Sequence, residues 1–195
     1  YPGAEQDVLA GVSLTLRPGT TTAVVGSTGS GKTTLANLLP RLLEATSGRI
    51  TAGGIPLREV DLTDLRQRIA LVPQRTFLFS GTIASNLRLG RPGASEEELW
   101  AALDAAQATE FVSRLPERLD APVEQGGKNF SGGQRQRLTI ARALVRRADL
   151  TVFDDSFSAL DYSTDRKLRA ALRTVLQDRA VLIVAQRVAT IRRAD

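Results

Sequence analysis

The 195-residue chain contains no Cys, no His and no Met. Without Cys there is neither a disulfide framework nor a thiolate metal site. Without His the usual zinc ligands and the usual general base are both missing. Any activation of water must then rest on carboxylates, a metal ion or the substrate itself. No apolar run approaches the ~20 residues that span a bilayer, and no signal peptide is visible. The lack of Met even at position 1, with the abrupt ends, predicts a domain cut from a longer chain. Lys is scarce too: of 26 basic residues only Lys32, Lys128 and Lys167 are Lys, and the Arg residues are scattered among 21 acids. The formal charge of +5 therefore reads as a solvated, Arg-rich surface, and no nucleic-acid partner is expected.

What is present is enough for one well-buried domain with room for a small subdomain, since 42% of the residues are hydrophobic. Leu9–Leu16 alternates apolar with small or polar residues and predicts a strand. Arg17-Pro18-Gly19 turns, and Thr22–Val25 predicts a second strand entering a Gly-rich loop. After Lys32, the leucines at 35, 38, 39, 42 and 43 have helical period. A strand pair around Arg49–Thr51 and Ile55–Leu57 flanks Gly53-Gly54, and Ala70–Gln74 reads as a strand ending at a polar residue.

Between about 76 and 148 the character is mostly helical. Ser95-Glu96-Glu97-Glu98 is a capping box opening one helix, and another is expected from Ser131 to about Ala148. Strand–helix alternation then returns: Leu150–Phe153, a helix through Leu168, Leu172 and Val175, and the apolar run Ala180–Ala185. Strand units at both ends around a helical insert predict an α/β fold, with residues 1–75 and 149–195 as the core and 76–148 as a helical subdomain.

The segment Gly26-Ser27-Thr28-Gly29-Ser30-Gly31-Lys32-Thr33 fits G-x-x-x-x-G-K-[ST] completely, between a strand and a helix. Glycines let successive backbone N–H groups turn inward on phosphate oxygens, and the following helix N-terminus adds its dipole. Lys32 would reach the β- and γ-phosphates and Thr33 would ligate Mg²⁺. Asp154 closes a strand, a place from which a carboxylate can hold that Mg²⁺. Asp155 follows it, one methylene shorter than the carboxylate such sites usually use to activate water. Ser131-Gly132-Gly133-Gln134 opens a helix with a hydroxyl and bare N–H groups, a second arrangement suited to an anion.

With Arg135-Gln136-Arg137-Leu138 and Ile140-Ala141-Arg142-Ala143-Leu144 after it, this order resembles the nucleotide-binding domain of ATP-binding cassette (ABC) transporters along nearly the whole chain. The resemblance implies a P-loop NTPase core with a mostly parallel sheet, a small antiparallel β subdomain and a helical subdomain, with ATP and Mg²⁺ as cofactors. It implies an ATPase in which two such domains, identical or different, sandwich ATP head to tail. Gly26–Thr34 of one then faces the Ser131–Gln134 signature of the other. It further implies that Gln74 senses the γ-phosphate and Mg²⁺ and touches the membrane domain, that Asp161 in Ser158-Ala159-Leu160-Asp161 couples the two sites, and that Tyr1 stacks on adenine.

Phe77–Leu87 and Val123–Gly127 look like the exporter branch, although Gln125 stands where an acid is usual. That branch implies transmembrane domains on the same chain and a place at the cytoplasmic face of the plasma (inner) membrane. The family's catalytic Glu aligns with Asp155 and its switch His with Gln186. These two departures resemble the degenerate subunit of heterodimeric exporters, paired with a different chain. A fully active homodimeric exporter and a soluble ABC ATPase remain as alternatives.

Overall fold

A computed structural model describes residues Asp7–Gln186. β1 (Thr21–Val25) leads through a loop into α1 (Lys32–Leu38). A hairpin follows, β2 (Thr51–Ala52) against β3 (Ile55–Pro56). Its corner, Gly53 and Gly54, has positive φ at both positions, as a two-residue hairpin turn requires. α2 (Leu62–Arg68) is capped by the Asp61 carboxylate and runs into β4 (Ile69–Val72). Next come β5 (Gly81–Thr82), α3 (Ile83–Arg88), α4 (Glu96–Ala105), α5 (Thr109–Ser113), β6 (Pro122–Val123) and α6 (Gly132–Val145). β7 (Leu150–Asp154), α7 (Tyr162–Val175) and β8 (Ala180–Ala185) close the described chain.

These elements form two compact units. The first holds the residues up to Leu71, Asp149–Asp155 and those from Asp178. The second holds Val72–Ala148 and Ser156–Gln177. The helical unit thus begins at 72 where the sequence suggests 76, and it gains α7, which the sequence assigns to the core. The reason is tertiary: α7 packs against α4, and its Leu168 and Leu172 are buried.

In the first unit the sheet order is β1-β8-β7-β4. β8 lies parallel to both β1 and β7, pairing Val25 with Ala185 and Asp154 with Val184. Such central strands are covered on both faces, which is why Ala180–Ala185 is an unbroken apolar run rather than an alternating one. Ala36, Leu57, Leu65, Ile69, Val152, Leu182 and Val184 form the core.

Two expectations fail here. Leu9–Leu16 forms no strand and is largely exposed, because among the described residues no neighbouring strand pairs with it, and alternation without a partner makes no ladder. α1 stops at Leu38 rather than running on to Leu43. Pro40 has no N–H to continue the helical ladder, Arg41 turns to φ 50, and the N–H groups of Leu42 and Leu43 fall back on the Asn37 carbonyl.

In the second unit α6 packs against α3 and α4 around fully buried Leu87, Leu99, Leu103, Leu138 and Ile140. No helix among the described residues is long and apolar enough to cross a membrane. The expected capping box at Ser95 is present: the Ser95 Oγ accepts from Glu98 N–H, and the Glu98 carboxylate accepts from Ser95 N–H. Glu98 also pairs with Arg91 and, at 3.0 Å, with Arg147. The Arg91 hydrogen bond and then the Ser95 N–H hold this carboxyl down at about 2.

A group whose folded pKa is depressed contributes stability above its ordinary pKa and loses it as pH falls through the folded value. The stability difference between the wild type and Glu98→Gln is therefore expected to be full above pH 4.5 and to vanish as pH falls toward about 2. Urea unfolding of both proteins across that range checks it.

Candidate functional site

Because β1, β8 and β7 run parallel and in register, their C-terminal ends Val25, Ala185 and Asp154 reach one edge of the sheet. That edge is where open α/β sheets place their ligands. The loop from Gly26, the pair Asp154-Asp155 and Gln186 all leave the sheet there.

The loop closes on its own lysine. Lys32 Nζ donates to the Ser27 carbonyl at 2.5 Å and to Ser30 Oγ at 3.1 Å. Ser27, Thr28, Gly29 and Ser30 are exposed around it. A Cβ on Gly26 would lie 2.6 Å from Ser30 Oγ. At Gly31 the constraint is double: φ is +84°, and a Cβ would meet Leu9 Cδ2 at 2.8 Å and the Val8 carbonyl at 2.9 Å. Gly31 is also the N-cap of α1, and no side chain caps that helix. The first N–H groups of a helix have no partner within it, an arrangement suited to a ligand that accepts hydrogen bonds.

Asp154 is 4% exposed. Burial pushes its carboxyl up from the ordinary range, and the neighbouring Asp155 adds to this. The Thr33 hydroxyl, which donates to it, and Lys32 pull the other way. Thr33, Lys32, Asp154 and Asp155 are thus brought together at one end of the sheet. A hydroxyl beside a buried carboxylate is an all-oxygen donor pair, and a cation there would offset the desolvation that raises Asp154. Among the described residues no cluster of three or more His, Cys, Asp or Glu could hold a metal ion.

Asp155 extends the ladder by one bond, its N–H donating to the Val184 carbonyl at 2.9 Å. Its φ of 46° is left-handed, a conformation that Asp adopts more readily than most residues. Gln186 is exposed just after β8.

The other candidates lie in the second unit. Ser131 caps α6 in a reciprocal box with Gln134: its N–H donates to Gln134 Oε1 at 2.9 Å, and its Oγ accepts from Gln134 N–H at 3.2 Å. Gly132 and Gly133 bring no side chain, and a Cβ on Gly133 would lie 3.5 Å from the Ala159 carbonyl. The signature segment and the Ser158–Asp161 segment are therefore neighbours within this unit. Asp161 is committed locally, accepting from Ser163 Oγ at 2.7 Å and from Thr164 N–H at 3.0 Å as the cap of α7. Those bonds hold its carboxyl well below the usual range. Gln74 stands two residues beyond β4, after Pro73, where the strand ends. Tyr1 lies outside the described residues.

Sequence reasoning missed Arg135, whose guanidinium Nη1 donates to the Phe130 carbonyl just before the signature. No local signal distinguishes it from the other arginines of α6.

The crowding at Gly31 predicts that Gly31→Ala costs about 1–3 kcal/mol of stability and distorts the loop. Gly48 has the same left-handed backbone, φ +80°, with nothing within 4 Å of a new Cβ, so Gly48→Ala should cost less. Urea unfolding of the two variants side by side measures the difference.

A family profile described as ABC transporter matches residues 9–158. An uncharacterised ABC transporter ATP-binding protein of Mycobacterium bovis is 52% identical over the whole of this chain, which covers 34% of that protein. An ATP-dependent lipid A-core flippase of Chromobacterium violaceum is 46% identical, again over the whole chain and 33% of its own length. A bacterial Atm1-family ABC exporter, solved with ATP bound, superposes with a TM-score of 0.93 at 37% identity, covering 98% of this chain and 33% of the other. This chain spans about a third of the relatives it matches. With its α/β fold, parallel sheet and phosphate loop, the chain belongs to the ABC transporter family.

Proposed function

We propose that this chain is the nucleotide-binding domain of an ABC exporter, an ATPase domain that couples Mg·ATP to transport. The remaining two thirds of the parent protein supply its transmembrane domains, and the domain works at the cytoplasmic face of the plasma (inner) membrane. The observation that carries this reading is the convergence of Lys32, Thr33 and buried Asp154 at one sheet edge.

In this reading the N–H groups of the loop and α1 orient the phosphates, and Lys32 gives up its bonds to Ser27 and Ser30 for phosphate oxygens. Thr33 and Asp154 would hold Mg²⁺, with Gln74 as a further ligand. When bound, Mg²⁺ neutralises charge on the phosphate oxygens as the terminal phosphoryl group is transferred to water. Tyr1 stacks on the adenine. A second domain, bound head to tail, receives Ser131–Gln134 over its own nucleotide, and Asp161 lies on the connection between the two sites.

The site on this chain holds ATP better than it hydrolyses it. A base must come within ~2.6–3.2 Å of the proton it takes. Asp155 falls short of a Glu by one methylene, about 1 Å, and a misplacement of that size can cost ~100-fold. Its backbone is tied to the central sheet by its N–H, which is bonded to Val184. Gln186 can donate an amide N–H to phosphate but cannot become cationic or take a proton. Both changes leave the binding groups in place, which favours a heterodimer in which the partner carries the active Glu and His.

Full-length protein, purified without a partner, is expected to bind Mg·ATP and turn over slowly. Asp155→Glu with Gln186→His should raise turnover by about 100-fold, with little change in ATP affinity. No gain in the double variant, or turnover of order 1 s⁻¹ in the unaltered protein, refutes the weakened site and returns the chain to an ordinary homodimeric ATPase. Loss of ATP binding on Lys32→Ala tests the site itself.

A further inference from the structure

The peptide unit joining Phe130 to Ser131 is held from both sides. Its N–H donates to Gln134 Oε1 at 2.9 Å, the inner half of the capping box. Its oxygen accepts from the Arg135 guanidinium Nη1 at 2.5 Å. The same Nη1 reaches the Gly127 carbonyl at 3.4 Å, a longer and weaker bond. Arg135 is half-buried, and among the described residues no ion pair holds it. Its cationic head is spent on main-chain carbonyls.

The Arg135 stem also fills the space beside Gly127. A Cβ at Gly127 would lie 2.9 Å from Arg135 Cδ and 2.9 Å from Leu78 Cδ1. The turn there is tight: Gly126 and Gly127 have φ +75° and +68°, Gly127 N–H donates to the Glu124 carbonyl at 2.7 Å, and Phe130 N–H to the Gly127 carbonyl at 2.9 Å. Gly126 N–H donates to the carbonyl of fully buried Leu78. Arg135 therefore closes a bracket between a buried anchor and the first residue of the signature.

We propose that Arg135 is a positioning residue for Ser131–Gln134. By clamping the oxygen of the Phe130–Ser131 peptide while Gln134 clamps its N–H, it fixes the rotation of that plane. The plane sets the direction of the Ser131 hydroxyl and of the Gly132 and Gly133 N–H groups. Without Arg135 the plane can rock about its remaining bond, and the segment would meet the partner's nucleotide in several orientations instead of one. This role rests on the proposed function, in which Ser131–Gln134 completes the partner's ATP site. Loss of the clamp removes binding made equally in ground and transition states, so it should appear in KM rather than in kcat.

The test uses the full-length protein assembled with its partner domain, with ATPase measured against ATP concentration. Arg135→Met keeps the stem beside Gly127 and deletes every donor, while Arg135→Lys keeps the stem and one donor. Arg135→Met should raise the KM for ATP by about 10-fold with kcat within about two-fold, at an unchanged melting temperature. Arg135→Lys should recover most of that loss. A Met variant with unaltered KM, or a defect that tracks a lowered melting temperature and is not relieved by Lys, overturns the proposal. Ser131→Arg serves as control. If it abolishes turnover while Arg135→Met is normal, the clamp alone is wrong. If Ser131→Arg leaves turnover intact, the assignment of the signature falls and the clamp with it.

Discussion

A carboxylate buried at the end of a parallel strand, Asp154 in β7, is the constraint on which the arrangement at this end of the sheet depends. Taking an ionised group out of water costs several kcal/mol unless neighbours compensate. The sheet forces that burial, because β7 is flanked by β8 and β4 and its register leaves Asp154 opposite Val184. Compensation comes from the phosphate loop, through the Thr33 hydroxyl and the Lys32 charge. Asp155 next door works against it. A cation beside this buried acid would offset the desolvation that raises it. The loop in turn needs Gly31, because a side chain there would collide with Val8 and Leu9.

Two helices of the second unit, α4 and α6, open with one device and differ in the residues behind it. Ser95 and Ser131 start their helices with the same reciprocal capping box. Three glutamates come after Ser95, so its helix terminus is already neutralised and would repel an anion. Two glycines come after Ser131, with no acid in the first turn, so the positive end of α6 remains bare. At α7 the cap is Asp161, whose own carboxylate takes the N–H of Thr164. Of these three starts, only that of α6 combines an exposed hydroxyl, bare N–H groups and a long helix behind them. The capping geometry is shared; the residues after the cap decide whether the terminus is structural or open to a ligand.

Much of this was legible in the sequence because it is encoded locally. A phosphate loop needs glycines at set spacing, a capping box needs Ser and Glu or Gln three apart, and a strand covered on both faces is an apolar run. The features that were not legible depend on partners far along the chain. Leu9–Leu16 has the alternation of a strand but no neighbour to pair with among the described residues. The leucines through Leu43 have helical spacing, yet Pro40 removes the donor the helix needs and outweighs it. α7 comes after the Asp154-Asp155 strand in sequence but packs on α4, so proximity along the chain misassigned it. Arg135 is one of four arginines between 135 and 146. Only coordinates distinguish the guanidinium that folds back onto Phe130 from those at 137 and 142, which bond to the carbonyls of Gln107 and Phe77.

Asp155 is where local and tertiary constraints meet. Whether a short carboxylate can do the work of a longer one depends on whether its backbone can advance by the missing ångström. Here it cannot do so freely. Its N–H is bonded to Val184 of β8, and its left-handed φ of 46° turns the chain away immediately afterwards. Moving Asp155 forward would strain the bond to Val184 and drag on Asp154, which accepts from the Thr33 hydroxyl. In the proposed reading, the bond that ties Asp155 to the sheet beside Asp154 opposes the adjustment a short base would need. In the proposed reading, replacing Asp155 by Glu would therefore act on the chemical step and leave the binding groups where they are.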